Sequence, residues 1–212
     1  MVYLGEAAQI PFLHKSEIAK RAQELLDECW DGVFPVNIEA VCDYLGVSVV
    51  PVPGLVDQCH VDAFISSDFK TVYVDEGGYS SESPRYRFSL AHELGHYVLH
   101  REYFSSRVSS FEEWQGLSQG VMSGYVEYQA NCFAGNLLAP EDDLLMALND
   151  EFDGCFVRYC WDRSYGDYRR ALGNVRRIFM VSEQVVMRRM RDTIYGLGDC
   201  GVMAERVRRS SR

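Results

Sequence analysis

The sequence predicts an α+β fold in which a small antiparallel or mixed sheet in the first half is followed by an all-helical C-terminal region. Short β-branched runs between residues 47 and 74, bounded by Pro, Gly and Ser, predict strands. Apolar residues at helical spacing before and after these runs predict helices. The 212 residues, 47% hydrophobic and 25% charged, suffice for one large domain or a domain with a small appendage.

The N-terminal segments alternate between helical and extended patterns. Ile18, Ala22 and Leu25 recur at helical spacing in the first segment. Gly46 is typical of the residue that follows a helix, and residues 67–70 are typical of a hairpin loop. The predicted elements are helices 14–30 and 36–45 and strands 47–52, 60–66 and 71–74.

The later segments are predicted to be helical apart from one long connection. Ser83 is a suitable N-cap and Pro84 a suitable first residue for a helix that ends near residue 100. Residues 101–120 lack periodicity and predict either a lid or a variable surface insertion. Helices follow at 121–138, 141–148, 172–179 and 183–194, and the last two, joined by residues 180–182, resemble a helix-turn-helix unit.

A domain boundary is expected at residues 149–154, between a domain of residues 1–150 and a helical region of residues 151–212. The net charge of −10 is unevenly distributed, because residues 155–212 carry 13 arginines, no lysine and 6 acidic residues. This basic segment indicates either contact with an acidic partner or nucleic acid, or a solvated face that offsets the acidic body. Residues 206–212 are predicted to form a basic tail.

An HExxH pattern at residues 92–96 is the strongest functional signal in the chain. Positions i and i+4 share one face of a helix, so His92 and His96 can direct two imidazoles at one metal ion. Glu93 lies beside them, where its carboxylate can take a proton from a metal-bound water. The pattern has only three fixed letters, and the alternative is a buried helix with two structural histidines.

A catalytic zinc ion needs a third protein ligand, and the sequence offers two candidates. His100 lies one turn further along the same helix, but the first and last of three such ligands are about 12 Å apart at helical rise. The metzincin arrangement is excluded because Val98 and Glu102 occupy its glycine and histidine positions. His100 is therefore expected to end the helix or to support a ligand.

Glu127 is the better third ligand, since it lies on a second apolar helix. An unpaired carboxylate on a mostly buried helix is costly, and a divalent cation would compensate for that cost. Asn131 follows one turn later and can orient a ligand. The alternatives are an exposed glutamate and an ordinary polar helix residue.

The string RFSLAHELGHYVLH at residues 87–100, followed by ExxANxFA at residues 127–134, resembles the ImmA/IrrE family of zincin-like metallopeptidases. The resemblance covers roughly residues 14–148. It implies a zincin-like metallopeptidase domain with Zn²⁺ bound by His92, His96 and Glu127, and with Glu93 as the catalytic residue. It also implies a bacterial or phage-related cytoplasmic protease that cleaves a helix-turn-helix transcriptional repressor and so derepresses its genes.

Two other functions are compatible with the sequence. One is a metal-stabilised binding or anti-repressor module without hydrolysis. The other is a DNA-binding regulator that uses Arg188, Arg189 and Arg191, which the helical pattern of the basic segment places outward. The residue that stabilises the oxyanion stays open among His60, Tyr125, Tyr128 and His100, and Cys59 is a further candidate for approaching the metal.

Cysteine usage and hydropathy favour a cytoplasmic protein. The seven cysteines are odd in number and contain no CxxC pair, which suits reduced thiols better than a disulfide framework. No apolar run approaches the length of a membrane span, and the N-terminus lacks the basic and apolar regions of a secretory signal.

Overall fold

The computed structural model describes residues 11–80, 82–104, 123–151 and 165–196, which form eight α-helices and one three-stranded sheet. The predicted α+β class is confirmed. In chain order the elements are α1 Lys15–Cys29, α2 Ile38–Tyr44, β1 Ser48–Val52, α3 Leu55–Cys59, β2 Ala63–Ile65, β3 Thr71–Asp75, α4 Pro84–Phe104, α5 Ser123–Leu138, α6 Glu141–Glu151, α7 Tyr165–Phe179 and α8 Glu183–Gly196.

The sheet is mixed, with β3 in the centre. β1 pairs with β3 in parallel, with Ser48 opposite Thr71, and β2 pairs with β3 in antiparallel orientation, with Ala63 opposite Val74. Within the sheet, β2 therefore has one edge that does not pair with another strand. The antiparallel hairpin agrees with the predicted loop at residues 67–70, where Phe69 N–H donates to Ser66 O.

The second predicted strand, residues 60–66, is shorter than its sequence pattern suggests, and a short helix before it has no counterpart in the prediction. Residues 60–62 lie outside β2, and His60 ends α3 in the left-handed conformation with φ 57°. α3 has only five residues, too few to show a helical apolar period. Its start at Gly54, with φ 71°, needs the backbone freedom of glycine.

The C-terminal helices pack onto the core of the preceding residues. The Phe179 ring meets the Phe34 ring with centroids 4.6 Å apart, and Val186 and Met190 are buried. The expectation that Arg189 points outward is wrong. Arg189 is 6% exposed, and its Nε donates to the carbonyl oxygen of Ala139 at 3.1 Å, because one face of α8 lies against the end of α5.

The close approach of α4 and α5 depends on Gly95. A Cβ at this position would lie 3.0 Å from Ala130 Cα, 3.1 Å from Ala130 O and 3.3 Å from Phe133 Cβ. Two of these three neighbours are backbone atoms, which cannot move aside as a flexible side chain can. The packing of small residues thus fixes the distance between the two helices.

We expect Gly95→Ala to lower the free energy of unfolding by about 1–3 kcal/mol, because the added methyl group overpacks the contact between helices. Gly173→Ala is the matched control, since a Cβ there meets nothing within 4 Å and alanine favours a helix. Urea unfolding of both variants measures the difference. Equal stability of the two variants would contradict this account of the contact.

Several predicted features lie outside the described residues. These are the irregular segment beyond Phe104, the end of the boundary segment at residues 152–154 and the basic tail at residues 206–212. Among the helices that are described, none combines the length and the hydropathy needed to cross a membrane.

Candidate metal centre

The helix α4 carries His92 and His96 on one face, as the spacing predicts. Ser83 accepts the Tyr86 N–H at its start, and Leu90 and Leu94 anchor it in the core. The His92 and His96 side chains are 16% and 7% exposed. Their Nε2 atoms lie 3.1 Å apart, so the two imidazoles face a common point.

The helix α5 brings the Glu127 carboxylate to the same point. Glu127 Oε2 lies 3.1 Å from His92 Nε2, and Oε1 lies 3.4 Å from His96 Nε2. The possible ligand atoms of these three residues lie within 4.8 Å of one another. The Glu127 side chain is 40% exposed, so it faces this cluster while keeping contact with solvent.

The spacing of the three donor atoms fits a divalent metal ion. Ligand atoms 2.0–2.2 Å from a tetrahedral zinc ion lie roughly 3.3–3.6 Å from each other, close to the separations of 3.1 and 3.4 Å between these atoms. Two imidazole lone pairs facing each other at 3.1 Å repel unless a proton or a cation lies between them. Two imidazoles, one carboxylate and partial exposure to solvent match an open catalytic site rather than a closed structural one.

Charge within the cluster favours a cation. Burial raises the pKa of Glu127, but hydrogen bonds with His92 and His96 outweigh burial and hold this pKa well below its ordinary value. Burial lowers the pKa of His92, yet the hydrogen bond with Glu127 and the nearby Glu93 and Glu127 charges together raise it. Glu127 is therefore ionised at neutral pH, and a metal ion can take the place of the proton on His92.

Asn131 holds His92 from the side opposite the cluster. Its Oδ1 lies 3.3 Å from His92 Nδ1, while its Nδ2 donates to the Glu127 carbonyl oxygen at 2.8 Å. The amide orientation is set by that donation, so Oδ1 accepts a proton from Nδ1 of His92. This leaves the lone pair of His92 on Nε2, the atom that faces Glu127. The expectation that Asn131 orients a ligand agrees with these contacts.

His100 does not end the helix, which continues to Phe104. It is fully buried, and its Nδ1 lies 3.1 Å from His96 Nδ1 while its Nε2 lies 2.9 Å from Gln129 Oε1. Burial and the neighbouring His96 lower the pKa of His100 to about 3. Gln129 was missed by sequence reasoning, although a polar residue two positions after Glu127 on an apolar helix was a usable signal.

Glu93 lies between the sheet and the histidine cluster. It is 7% exposed, and its Oε2 accepts the Ile65 N–H at 2.9 Å. Ser66 N–H donates to Thr71 O of β3, so the N–H of Ile65, one residue earlier, points away from β3. The Glu93 carboxylate is thus fixed at the edge of β2 that does not pair with β3.

The model of the peptidase M78 family, described as the IrrE N-terminal-like domain, matches residues 42–191. The chain belongs to this family. The match supports the expected metallopeptidase function. It also extends past residue 148, where the resemblance seen in the sequence ends, and continues through α7 and into α8. No curated protein matches the sequence significantly. The boundary near residue 150 stays a prediction, because the matched span crosses it.

A cleft of about 630 Å³ in this M78 peptidase is lined by Asn131, which contacts His92, but by none of the three candidate metal ligands. Its walls are the first two turns of α4, the middle of α5 and one face of α8. Arg188 lies over the Tyr128 ring at 5.8 Å in this cleft. Asn131 is therefore the contact between this cleft and the candidate metal centre.

The other candidate residues of the peptidase differ in position. His100 cannot reach a substrate oxygen, because both of its ring nitrogens face buried protein groups. Among the described residues, the group that could hold a metal ion consists of His92, His96 and Glu127. His60 and Cys59 are not part of it, and both are exposed at the end of α3. His60, Tyr125 and Tyr128 stay candidates for the oxyanion donor.

Proposed function

We propose that the chain is a zinc-dependent endopeptidase that cleaves a helix-turn-helix transcriptional repressor and so derepresses the repressor's genes. His92, His96 and Glu127 are its metal ligands, and Glu93 is its catalytic residue. The observation that carries the metallopeptidase part of this proposal is the convergence of two imidazole nitrogens and one carboxylate oxygen from α4 and α5, at separations of 3.1 and 3.4 Å. The repressor as substrate rests on the resemblance to the ImmA/IrrE family.

Zinc is the metal that suits this set of ligands best. Two neutral imidazoles favour zinc over magnesium or calcium, which prefer oxygen ligands, and a single carboxylate completes a common catalytic set. When bound, the metal polarises the scissile carbonyl and lowers the pKa of a water molecule in the site. Affinity measurements with Zn²⁺ and Mn²⁺ on the metal-free protein would decide between the two ions.

Glu93 transfers the proton in the proposed reaction. Its carboxylate takes a proton from the attacking water and passes it to the nitrogen of the leaving amine. The hydrogen bond from Ile65 N–H occupies one lone pair of Oε2 and fixes the carboxylate without neutralising it. Glu93 is only 7% exposed, so few water molecules can compete for its carboxylate.

The edge of β2 is suited to hold the main chain of the substrate. Ala63 and Ile65 point their backbone groups away from β3, and Ile65 already contacts Glu93 on this side. An extended peptide that pairs with this edge passes directly over the catalytic carboxylate. The substrate therefore has to present an extended segment, such as a linker between domains.

We expect Ala63→Pro to raise KM roughly fivefold while changing kcat less, because it removes one N–H donor from the substrate edge, and a hydrogen bond contributes about 1 kcal/mol. Proline is tolerated at the first residue of a strand when its nitrogen faces away from the partner. Val49→Pro is the control, since Ser48 N–H points at β3 and Val49 N–H therefore points away from it, on the far edge of the sheet. A larger effect of the control would argue against substrate binding at β2.

A repressor encoded beside the gene for this chain is the first substrate to test. Purified repressor incubated with the zinc-loaded protein is expected to yield two fragments. Binding of intact repressor without fragments would favour the non-hydrolytic module instead.

The four described cysteines, Cys29, Cys42, Cys59 and Cys132, are all free thiols, which supports the proposed cytoplasmic location.

DNA contact by the C-terminal helices stays a prediction. Arg189 is unavailable for it because its guanidinium is buried, so contact would depend on exposed residues such as Arg188 and Arg191. A gel-shift titration at low salt tests this point, because phosphate contacts weaken steeply as salt rises.

A further inference from the structure

A chain of hydrogen bonds runs from the N-terminal segment to His96. Gln129 Nε2 donates to the carbonyl oxygen of Pro11 at 3.1 Å, and Gln129 Oε1 lies 2.9 Å from His100 Nε2. His100 Nδ1 in turn lies 3.1 Å from His96 Nδ1. Gln129 and His100 are fully buried, so each has to satisfy its polar atoms within this chain of contacts.

The position of each proton in this chain of hydrogen bonds follows from its first acceptor, the Pro11 carbonyl oxygen. A carbonyl oxygen only accepts, so the Gln129 NH₂ group faces Pro11 and the Gln129 oxygen faces His100. His100 Nε2 therefore carries the proton that this oxygen accepts. A neutral His100 then has its lone pair on Nδ1, and the proton between the two Nδ1 atoms belongs to His96.

This arrangement leaves the lone pair of His96 on Nε2, which faces His92 and Glu127. A histidine binds a metal through an unprotonated nitrogen, and the partner of its other nitrogen sets its tautomer and orientation. We propose that His100 and Gln129 are positioning residues that hold His96 in the metal-binding tautomer, with the Pro11 carbonyl as their anchor. The inference rests on the proposed function, because it takes His96 as a ligand.

The first test is the tautomer of His100 in the wild-type protein. Two-bond proton–nitrogen NMR correlations on protein labelled with ¹⁵N-histidine distinguish protonated from unprotonated ring nitrogens, and the His100→Gln variant assigns the signals of His100. The expected pattern is a proton on Nε2 and none on Nδ1, with or without zinc. A proton on Nδ1, alone or on both nitrogens, would overturn the proposal.

The second test is zinc affinity by chelator competition. We expect His100→Leu to weaken binding roughly ten- to hundredfold, as when the partner of a ligand is removed. His100→Gln should recover most of this loss, because its amide can accept from His96 and donate to Gln129. His14→Leu is the matched control, since His14 is exposed and lies outside the hydrogen-bonded chain. Wild-type affinity in His100→Leu would overturn the positioning role.

If His100→Leu does not fold, Gln129→Met tests the same chain while leaving His100 in place. It removes the acceptor for His100 Nε2, so the NMR spectrum should show loss of the single tautomer, and a retained single tautomer would count against the proposal. Failure of the proposed function is distinguishable. If the metal site is wrong, zinc leaves the His92 and His96 signals unchanged, and if only hydrolysis is wrong, zinc shifts these signals but the repressor stays intact. In both cases the His100 tautomer is still read in the metal-free protein.

Discussion

Glu93→Gln is expected to lower kcat roughly 10²–10⁴-fold while leaving zinc bound. Glutamine keeps the size of the side chain and can still accept the Ile65 N–H through its amide oxygen. It cannot take a proton from water, so the variant loses the contribution that a general base makes to catalysis. Cleavage of the proposed repressor substrate or of a mixed peptide library, read by mass spectrometry, measures the loss.

The control for this variant is Glu102→Gln, which makes the same change on an exposed turn of the same helix. It should cleave at the wild-type rate. Metal content by elemental analysis then separates a catalytic defect from a binding defect. Cleavage by Glu93→Gln at the wild-type rate with zinc bound would remove Glu93 as the general base. Zinc and repressor bound by the wild-type protein without any cleavage would favour the non-hydrolytic module.

Glu127→Gln is expected to weaken zinc binding by more than about 100-fold. This loss is larger than the roughly 10- to 100-fold loss expected when a residue that only supports a ligand is removed. An uncharged amide oxygen is a poor replacement for a carboxylate next to two imidazoles at 3.1 and 3.4 Å. Thermal unfolding offers a second measurement. Zinc at a hundred times its Kd should stabilise the wild-type protein by about 2.7 kcal/mol, which corresponds to a Tm increase of roughly 5–10 °C.

The Tm of Glu127→Gln should hardly respond to the same zinc concentration. Its metal-free Tm should stay near the wild-type value, because the Glu127 side chain is 40% exposed and its ion pairs are screened by solvent. Asp142→Asn, on the exposed surface of α6, is the control for loss of one negative charge. A zinc-induced shift of wild-type size in Glu127→Gln would place the metal elsewhere.

The candidate ligands could be predicted from the sequence because each one follows from a local pattern. The spacing of His92 and His96 fixes their common face on any helix. Glu127 was expected from the cost of a carboxylate on an apolar helix. The distance between α4 and α5 has no such local signal, because it is set by the contact of Gly95 with Ala130.

Other features escaped prediction because they depend on contacts between segments far apart in the chain. The role of Gln129 was not predicted, because it depends on contacts with His100 and with Pro11, 118 positions away in the chain. Arg189 was expected at the surface because helical periodicity cannot show that the end of α5 covers this face of α8. The hydrogen bond between Glu93 and Ile65 likewise joins elements that are separate in sequence.

The sequence by itself determined the α+β class, the HExxH helix and the residue types that can bind a metal, since these follow from periodicity and spacing along single segments. Only the tertiary structure decided which atoms meet. The separations at Glu127, the orientation of Glu93 at the β2 edge and the hydrogen-bonded chain behind His96 all arise from packing between elements. A local pattern records which face of a helix is apolar, but it does not record which side chain lies opposite that face.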